Sequence, residues 1–204
     1  MTTRFSPFTV LVLASILMAT SRGSLAQSSP NQPAQTIQSH VDYQSPPATL
    51  GGLWAASDVV ARLRVTGQSS RRFDLNANRS MPLIAHDTQV VELFKTDNTM
   101  TRPTHITVLQ PGGTVEDNHG RTIKASVEGF DVYKPGEELI LFLRSSPAAG
   151  GFMVAYGPAG SFVLDRNLVH IPVQVKTYPE FRGQDSVPIG ELITSLRQLA
   201  SASR

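Results

Sequence analysis

The sequence contains no cysteine, and this absence excludes several kinds of chemistry at once. No disulfide can stabilise the fold, no thiol can act as a nucleophile, and no lipid-modified N-terminal cysteine can anchor the chain to a membrane. The stability of the folded protein must therefore come from a hydrophobic core of ordinary size.

Motifs of known catalytic sites are lacking too. The chain has no G-x-S-x-G nucleophile elbow, no P-loop and no H-E-x-x-H or EF-hand spacing. Gly112-Gly113 and Gly150-Gly151 are not followed by the Lys-Ser or Lys-Thr pair of a P-loop, so we interpret them as loop glycines. The sequence thus predicts no catalytic residue, no metal ligand and no cofactor.

The apolar run over residues 8–19 is about a dozen residues long, whereas crossing a bilayer takes roughly 20. It follows Arg4 and precedes Ser24-Leu25-Ala26, whose small residues fit a signal-peptidase site. We therefore predict that residues 1–26 are a signal peptide, cleaved after Ala26. Because the n-region has no Arg-Arg pair, the general secretory route is favoured. The mature protein is expected in the periplasm or outside the cell, without stable membrane insertion.

The mature chain also lacks an excess of either charge. The whole chain has 18 Lys and Arg and 16 Asp and Glu, and residues 1–26 hold Arg4 and Arg22 but no acidic residue. A formally neutral mature chain exerts no long-range attraction on nucleic acid, so no nucleic-acid partner is expected. A local group of arginines is accompanied by only one aromatic residue, Phe73, whereas a nucleic-acid groove usually has more aromatic side chains for stacking. We therefore interpret the group as a solvated, charged face of a sheet. The group comprises Arg62, Arg64, Arg71, Arg72 and Arg79.

Composition divides the mature chain into two parts. Residues 27–48 are rich in Gln, Ser and Pro, which predicts a flexible polar spacer. Residues 49–204 predict a single β-rich domain in which Trp54 anchors the start of the core. A helix is predicted over 188–199, packed on the sheet or, alternatively, binding a partner. Its apolar positions are Ile189, Leu192, Ile193, Leu196 and Leu199.

Alternation of apolar and polar residues predicts most of the strands. In the first strand, Val59, Ala61 and Leu63 fall on one face, and Arg62 and Arg64 fall on the other. The alternating or short apolar segments span residues 58–66, 88–95, 104–110, 122–127, 152–156, 161–164 and 168–171.

The run Leu139-Ile140-Leu141-Phe142-Leu143 lacks alternation, so we predict that it is the central strand, buried on both faces. It follows Lys134-Pro135-Gly136-Glu137, in which proline and glycine indicate a tight turn. Asp165-Arg166-Asn167 is interpreted as a second turn, at the tip of a hairpin.

Two groups of polar residues are candidates for chemistry. In Glu116-Asp117-Asn118-His119, an extended chain would place Asp117 and His119 on one side, where they could share a metal, although such a composition is also typical of a loop. His86 and Asp87 are candidates for an acid–base pair, but adjacent residues rarely face each other. Asp87 is interpreted as a turn residue ahead of the next strand.

The segment from Gly67 to Asp87 has no strong alternation and exceeds the ~12–15 residues usual for an unstructured connection. It is interpreted either as a binding loop or as a disordered connection.

Four stretches carry a resemblance to known proteins: Ser57-Asp58-Val59-Val60, the segments 88–95 and 108–113, and the segment 133–143. They resemble a set of uncharacterised exported bacterial β-proteins and, more remotely, the netrin-like module of metalloproteinase inhibitors, an OB-type barrel. The resemblance implies a five- to six-stranded Greek-key barrel with a C-terminal helix. The predicted fold class is mainly β, either an OB-like Greek-key barrel or a small β-sandwich, with a C-terminal helix. It does not imply inhibition, because those inhibitors chelate zinc through an N-terminal cysteine and this mature chain would begin at Gln27.

Two hypotheses for function follow. The first is an exported non-catalytic β-domain that binds a protein, peptide or envelope component through the 67–87 segment or a barrel face. The alternative is a metal-dependent or hydrolytic exported enzyme whose site is assembled from distant residues such as Asp117, His119 and His86. The absence of a catalytic motif favours the first.

Overall fold

The computed structural model describes residues 35–39, 43–76, 79–96, 102–116, 122–127 and 129–203. The fold is mainly β with a C-terminal helix, which confirms the predicted class. The helices are α1 (Leu50–Ala55) and α2 (Ile189–Ala202). The strands are β1 (Gln35–Ser39), β2 (Val59–Asn76), β3 (Arg79–Lys95), β4 (His105–Pro111), β5 (Gly113–Glu116), β6 (Thr122–Val127), β7 (Glu138–Ser146), β8 (Gly151–Val154), β9 (Ser161–Asp165), β10 (Leu168–His170) and β11 (Ser186–Pro188).

Eight of these strands form one sheet in the order β11-β10-β9-β7-β2-β3-β4-β8. β8 pairs in parallel with β4 and also antiparallel with β7, so the pairings of β7, β2, β3, β4 and β8 run in a ring. Because β8 is a strand of only four residues, the ring is joined along a short stretch and the sheet is barrel-like. β9, β10 and β11 extend the sheet outside the ring, and β1, β6 and β5 form a second sheet.

β7 is the central strand, as predicted from its unbroken apolar run. The five side chains over 139–143 are completely buried. Leu139, Leu141 and Leu143 pack in one core cluster, whereas Ile140 and Phe142 pack in the other. The strand therefore separates two cores, which is why its sequence does not alternate.

The turns before β7 and after β9 also agree with the sequence. Glu137 N donates to Lys134 O at 3.1 Å, and Gly136 has φ +90°, a conformation that favours glycine. Arg166 lies at a hairpin tip, where Asp165 and Leu168 are paired across the turn.

The two helices pack together over the second core cluster. Trp54 on α1 is buried as predicted, and it shares this cluster with Leu192, Ile193 and Leu196 of α2. Helix α1 was not predicted. Thr49 caps it, since its Oγ1 accepts from Gly52 N at 3.0 Å. In the part of the chain that the structure describes, no helix is long and apolar enough to cross a membrane.

The interpretation of the segment from Gly67 to Asp87 as a loop or disordered connection is wrong. These residues belong to the long hairpin of β2 and β3, which remain paired as far as Asn76 and Arg79. Asp87 accordingly lies within β3 and is not a turn residue. Part of the segment expected to be a flexible spacer is also a strand, because β1 pairs in parallel with β6.

Candidate functional site

His86, a candidate for acid–base chemistry, is completely buried on β3. Its Nε2 lies 3.0 Å from Gln110 Oε1, and its ring centroid lies 5.1 Å from that of Tyr133. Burial lowers the pKa of His86, against the smaller opposing effects of the Gln110 hydrogen bond and the Glu137 and Asp87 charges. Asp87 itself is exposed, so the two neighbours do not form an acid–base pair on the surface.

The other candidates, Asp117 and His119, lie outside the described residues, whereas Glu116 is described and is exposed. Within the described ranges, no group of three or more His, Asp or Glu side chains converges as metal ligands would.

His86 belongs to a buried cluster that holds the chain segment before β7. Gln110 Nε2 donates to the carbonyl oxygens of Asp131 at 2.8 Å and Phe130 at 3.3 Å. Tyr133 OH donates to Ser161 Oγ at 2.8 Å, and burial raises the pKa of Tyr133. The segment over 130–133 is thus fixed from the inside by hydrogen bonds to β4 and β9.

Outside this segment lies a groove of about 670 Å³. The described residues include four large apolar side chains that are exposed, and two of them, Val132 at 41% and Val173 at 69%, line this groove. We call it the valine groove. Pro158, Val163 and Pro172 add further apolar surface to its wall. Its polar lining residues include Lys134, Glu137, His170 and Gln174.

A smaller groove of about 530 Å³ lies on the other side of the 134–137 turn. Two of its charged lining residues are paired, because Glu138 accepts from Arg62 Nε at 2.8 Å. Glu138 also accepts from Arg64 Nε at 3.1 Å. Burial raises the pKa of Glu138, but the hydrogen bonds from Arg64 and Arg62 outweigh it, so the pKa is lowered. The two grooves share Lys134 and Glu137 in their linings.

Four of the arginines that are grouped in the sequence lie at the surface or in ion pairs. Arg64, Arg71 and Arg72 are exposed, and Arg62 is half-buried against Glu138. Sequence reasoning missed Val132 and Val173, the residues that mark the valine groove. The one available signal was Pro172 beside Val173, because a proline argues against a central strand at that point.

Comparison with known proteins adds no further assignment. No protein-family model matches the chain, and no match to a curated protein is found.

Proposed function

We propose that the protein is an exported, non-catalytic domain that binds a polypeptide segment of a partner in the valine groove. The observation that carries this proposal is the placement of Val132 and Val173, both exposed, in the same concave surface. Apolar side chains gathered in a groove are typical of an interaction site, whereas single scattered ones are not.

The groove suits a polypeptide because its lining is mixed. Val132, Val173 and Pro158 offer apolar surface, while His170 and Gln174 offer hydrogen-bonding groups for a main chain. Burying both valines against a partner is worth about 2–3 kcal/mol, or roughly a hundredfold in affinity. The rigid support from Gln110 to the 130–133 segment limits the entropy lost on binding.

The proposal is tested by photo-crosslinking in the native envelope. A photoreactive residue replaces Val132 or Val173, and the matched control carries it at Val91, which is 43% exposed on β3 and outside the groove. We expect one and the same polypeptide to crosslink from positions 132 and 173 and not from 91. The substitution Val173→Asp, made together with the probe at 132, should abolish this product.

Products common to all three positions, or none from 132 and 173, would contradict binding in the groove. The non-catalytic part of the proposal has its own test, because a metal bound in a site must raise the melting temperature. A rise with zinc, manganese or calcium would favour the enzyme hypothesis.

A further inference from the structure

β2 is twice as long as β7, which pairs with the edge of β2 that faces away from β3; we call that edge the outer side of β2. The strand runs over 18 residues, and β3 pairs with it along almost its whole length. β7, on the other side, pairs only with residues 59–64. Among the described strands, none is paired with the outer side of β2 from Gly67 onward. We call residues 67–74 of this strand the β2 edge.

β5 approaches the β2 edge but covers a face of the hairpin. Thr114 N donates to Ser70 Oγ at 3.5 Å, and Gly113 lies against Ser70 and Ile84. Ser70 and Ile84 are opposite each other in the hairpin, so their side chains share a face. A strand lying across that face leaves the outer main-chain groups of β2 accessible.

The β2 edge carries charged side chains, but it lacks other features that protect an edge strand. The register with β3 shifts before Gly67 and after Asp74, but it is regular over the eight residues between them. This stretch contains neither lysine nor proline, two residues that commonly prevent an edge strand from pairing with another chain. Residues 68–72 are all exposed. A regular, exposed edge of this kind is suited to accept another extended chain.

The charge of the edge indicates what that chain should carry. Arg71 and Arg72 are adjacent and point to opposite faces, whereas Asp74 is the single acidic residue of the stretch. Asp74 Oδ1 accepts from Arg72 Nε at 2.8 Å. A second copy of the protein paired edge to edge would bring four arginines together with only two aspartates, and this excess of positive charge is unfavourable. An acidic strand would instead place carboxylates opposite arginines.

We propose that the β2 edge binds an extended acidic segment of a partner protein by adding it as a strand to the sheet. This site does not include the valine groove, so the two proposals can fail separately.

The test uses the intact mature protein and a fluorescent peptide of Val and Glu, matched in length to the eight-residue edge. Two adjacent glutamates at its centre place a carboxylate on each face of the added strand. We expect saturable binding in low salt that weakens as salt is added, because the contacts are between exposed charges. The double substitution Arg71→Glu with Arg72→Glu should weaken binding by about tenfold or more. Lys124→Glu, an exposed charge on β6, is the matched control and should leave binding unchanged.

A pair of proline variants tests strand addition itself. Successive amides of a strand point to opposite sides, so one of Ser69 and Ser70 directs its N–H to β3 and the other directs it outward. Of Ser69→Pro and Ser70→Pro, the variant that loses an N–H bonded to β3 should have a lowered melting temperature. The other variant should keep its melting temperature but lose peptide binding, because it lacks the N–H that would bond to the peptide. Hydrogen exchange at residues 68–73 should slow when the peptide binds to the unsubstituted protein.

Absence of saturable binding, binding unaffected by the arginine reversal, or binding without slower exchange at 68–73 would each overturn the proposal. So would slow exchange at these residues in a peptide-free dimer, which would assign the edge to a second copy. Val173→Asp should not change peptide binding, and a loss would move the site to the valine groove.

Discussion

The ring of Tyr43 lies against Gly157 so closely that a Cβ at position 157 would be 2.4 Å from Tyr43 Cε1. Gly157 also has φ +59°, which disfavours other residues there. The same tyrosine ring meets Phe130 edge-on, with centroids 6.1 Å apart. The segment that precedes α1 therefore packs through Tyr43 against Phe130 and Gly157, and the tyrosine ring leaves room only for glycine at position 157.

We predict that Gly157→Ala destabilises the protein by about 2–5 kcal/mol. The left-handed conformation contributes about 1–2 kcal/mol and the collision with Tyr43 contributes the rest. Gly150→Ala is the matched control, because Gly150 has φ +72° and a Cβ at this position would meet nothing within 4 Å. Urea unfolding of both variants gives the comparison. If the two cost the same, the ring of Tyr43 does not limit position 157.

A double substitution isolates the contact. In a protein that already carries Tyr43→Ala, the further change Gly157→Ala should cost only about as much as Gly150→Ala, since the ring is gone. An undiminished cost would place the collision elsewhere.

Our second prediction concerns pH. Burial lowers the pKa of His86, so at mildly acidic pH the unfolded chain takes up a proton that the folded protein resists. The free energy of unfolding should be unaffected by this group above its unfolded pKa of about 6.5 and should fall below it. The slope from one proton is at most about 1.4 kcal/mol per pH unit.

Urea unfolding between about pH 7 and pH 5 measures this slope. His86→Gln should flatten it, and His105→Gln, at an exposed histidine on β4, should not. The lowered pKa of Glu138 changes the free energy of unfolding mainly below this pH range, because the pKa of glutamate in the unfolded chain is about 4.3. A slope equal in all three proteins would show that His86 does not control it.

The third prediction addresses the central strand. Leu141 is completely buried and is paired with Ala61 on one side and Ser161 on the other. Leu141→Asp should abolish cooperative folding, because an unpaired buried carboxylate costs several kcal/mol against a stability of about 5–15 kcal/mol. Val91→Asp, at an exposed valine, should change stability by less than about 1 kcal/mol. Circular dichroism during urea unfolding distinguishes them, and an unchanged midpoint for Leu141→Asp would refute the strand's central position.

Elements governed by local chemistry were predictable from the sequence. The turn before β7 has proline and glycine at the positions where its geometry needs them, and the run over 139–143 is apolar because both of its faces are buried. Helix α2 has its buried residues at helical spacing, including Leu192 and Leu196.

The outer half of the β2–β3 hairpin was not predictable in this way. Residues 68–72 of β2 are exposed on both faces, so they have no apolar alternation to reveal a strand. Their partners on β3 are buried on both faces and include Pro82 and His86. Residues 68–72 form a strand because they pair with β3, and the alternation of apolar and polar residues along one segment does not reveal such pairing.

The valine groove depends on a different kind of information. Val132 and Val173 lie in segments about 40 positions apart in the chain, and only the folded arrangement of β7, β9 and β10 brings these segments to one surface. Helix α1 was not predictable for a local reason, since its Gly51-Gly52 pair is unfavourable in helices and is compensated by the Thr49 cap.

The packing of α1 on α2 has a consequence for how the chain is made. Trp54 Nε1 donates to Ser203 Oγ at 3.3 Å across 149 positions of sequence, and Leu50 N donates to Glu180 Oε1 at 3.2 Å across 130. α1 leaves the ribosome early in synthesis, but it can form these two hydrogen bonds only after residues 180 and 203 have been added. The two hydrogen bonds that tie α1 to the C-terminal part of the chain therefore form only after almost the whole domain has been synthesised. The part of the apolar surface of α1 that faces α2 stays uncovered until α2 has been made, and aggregation competes with folding while such surface is exposed.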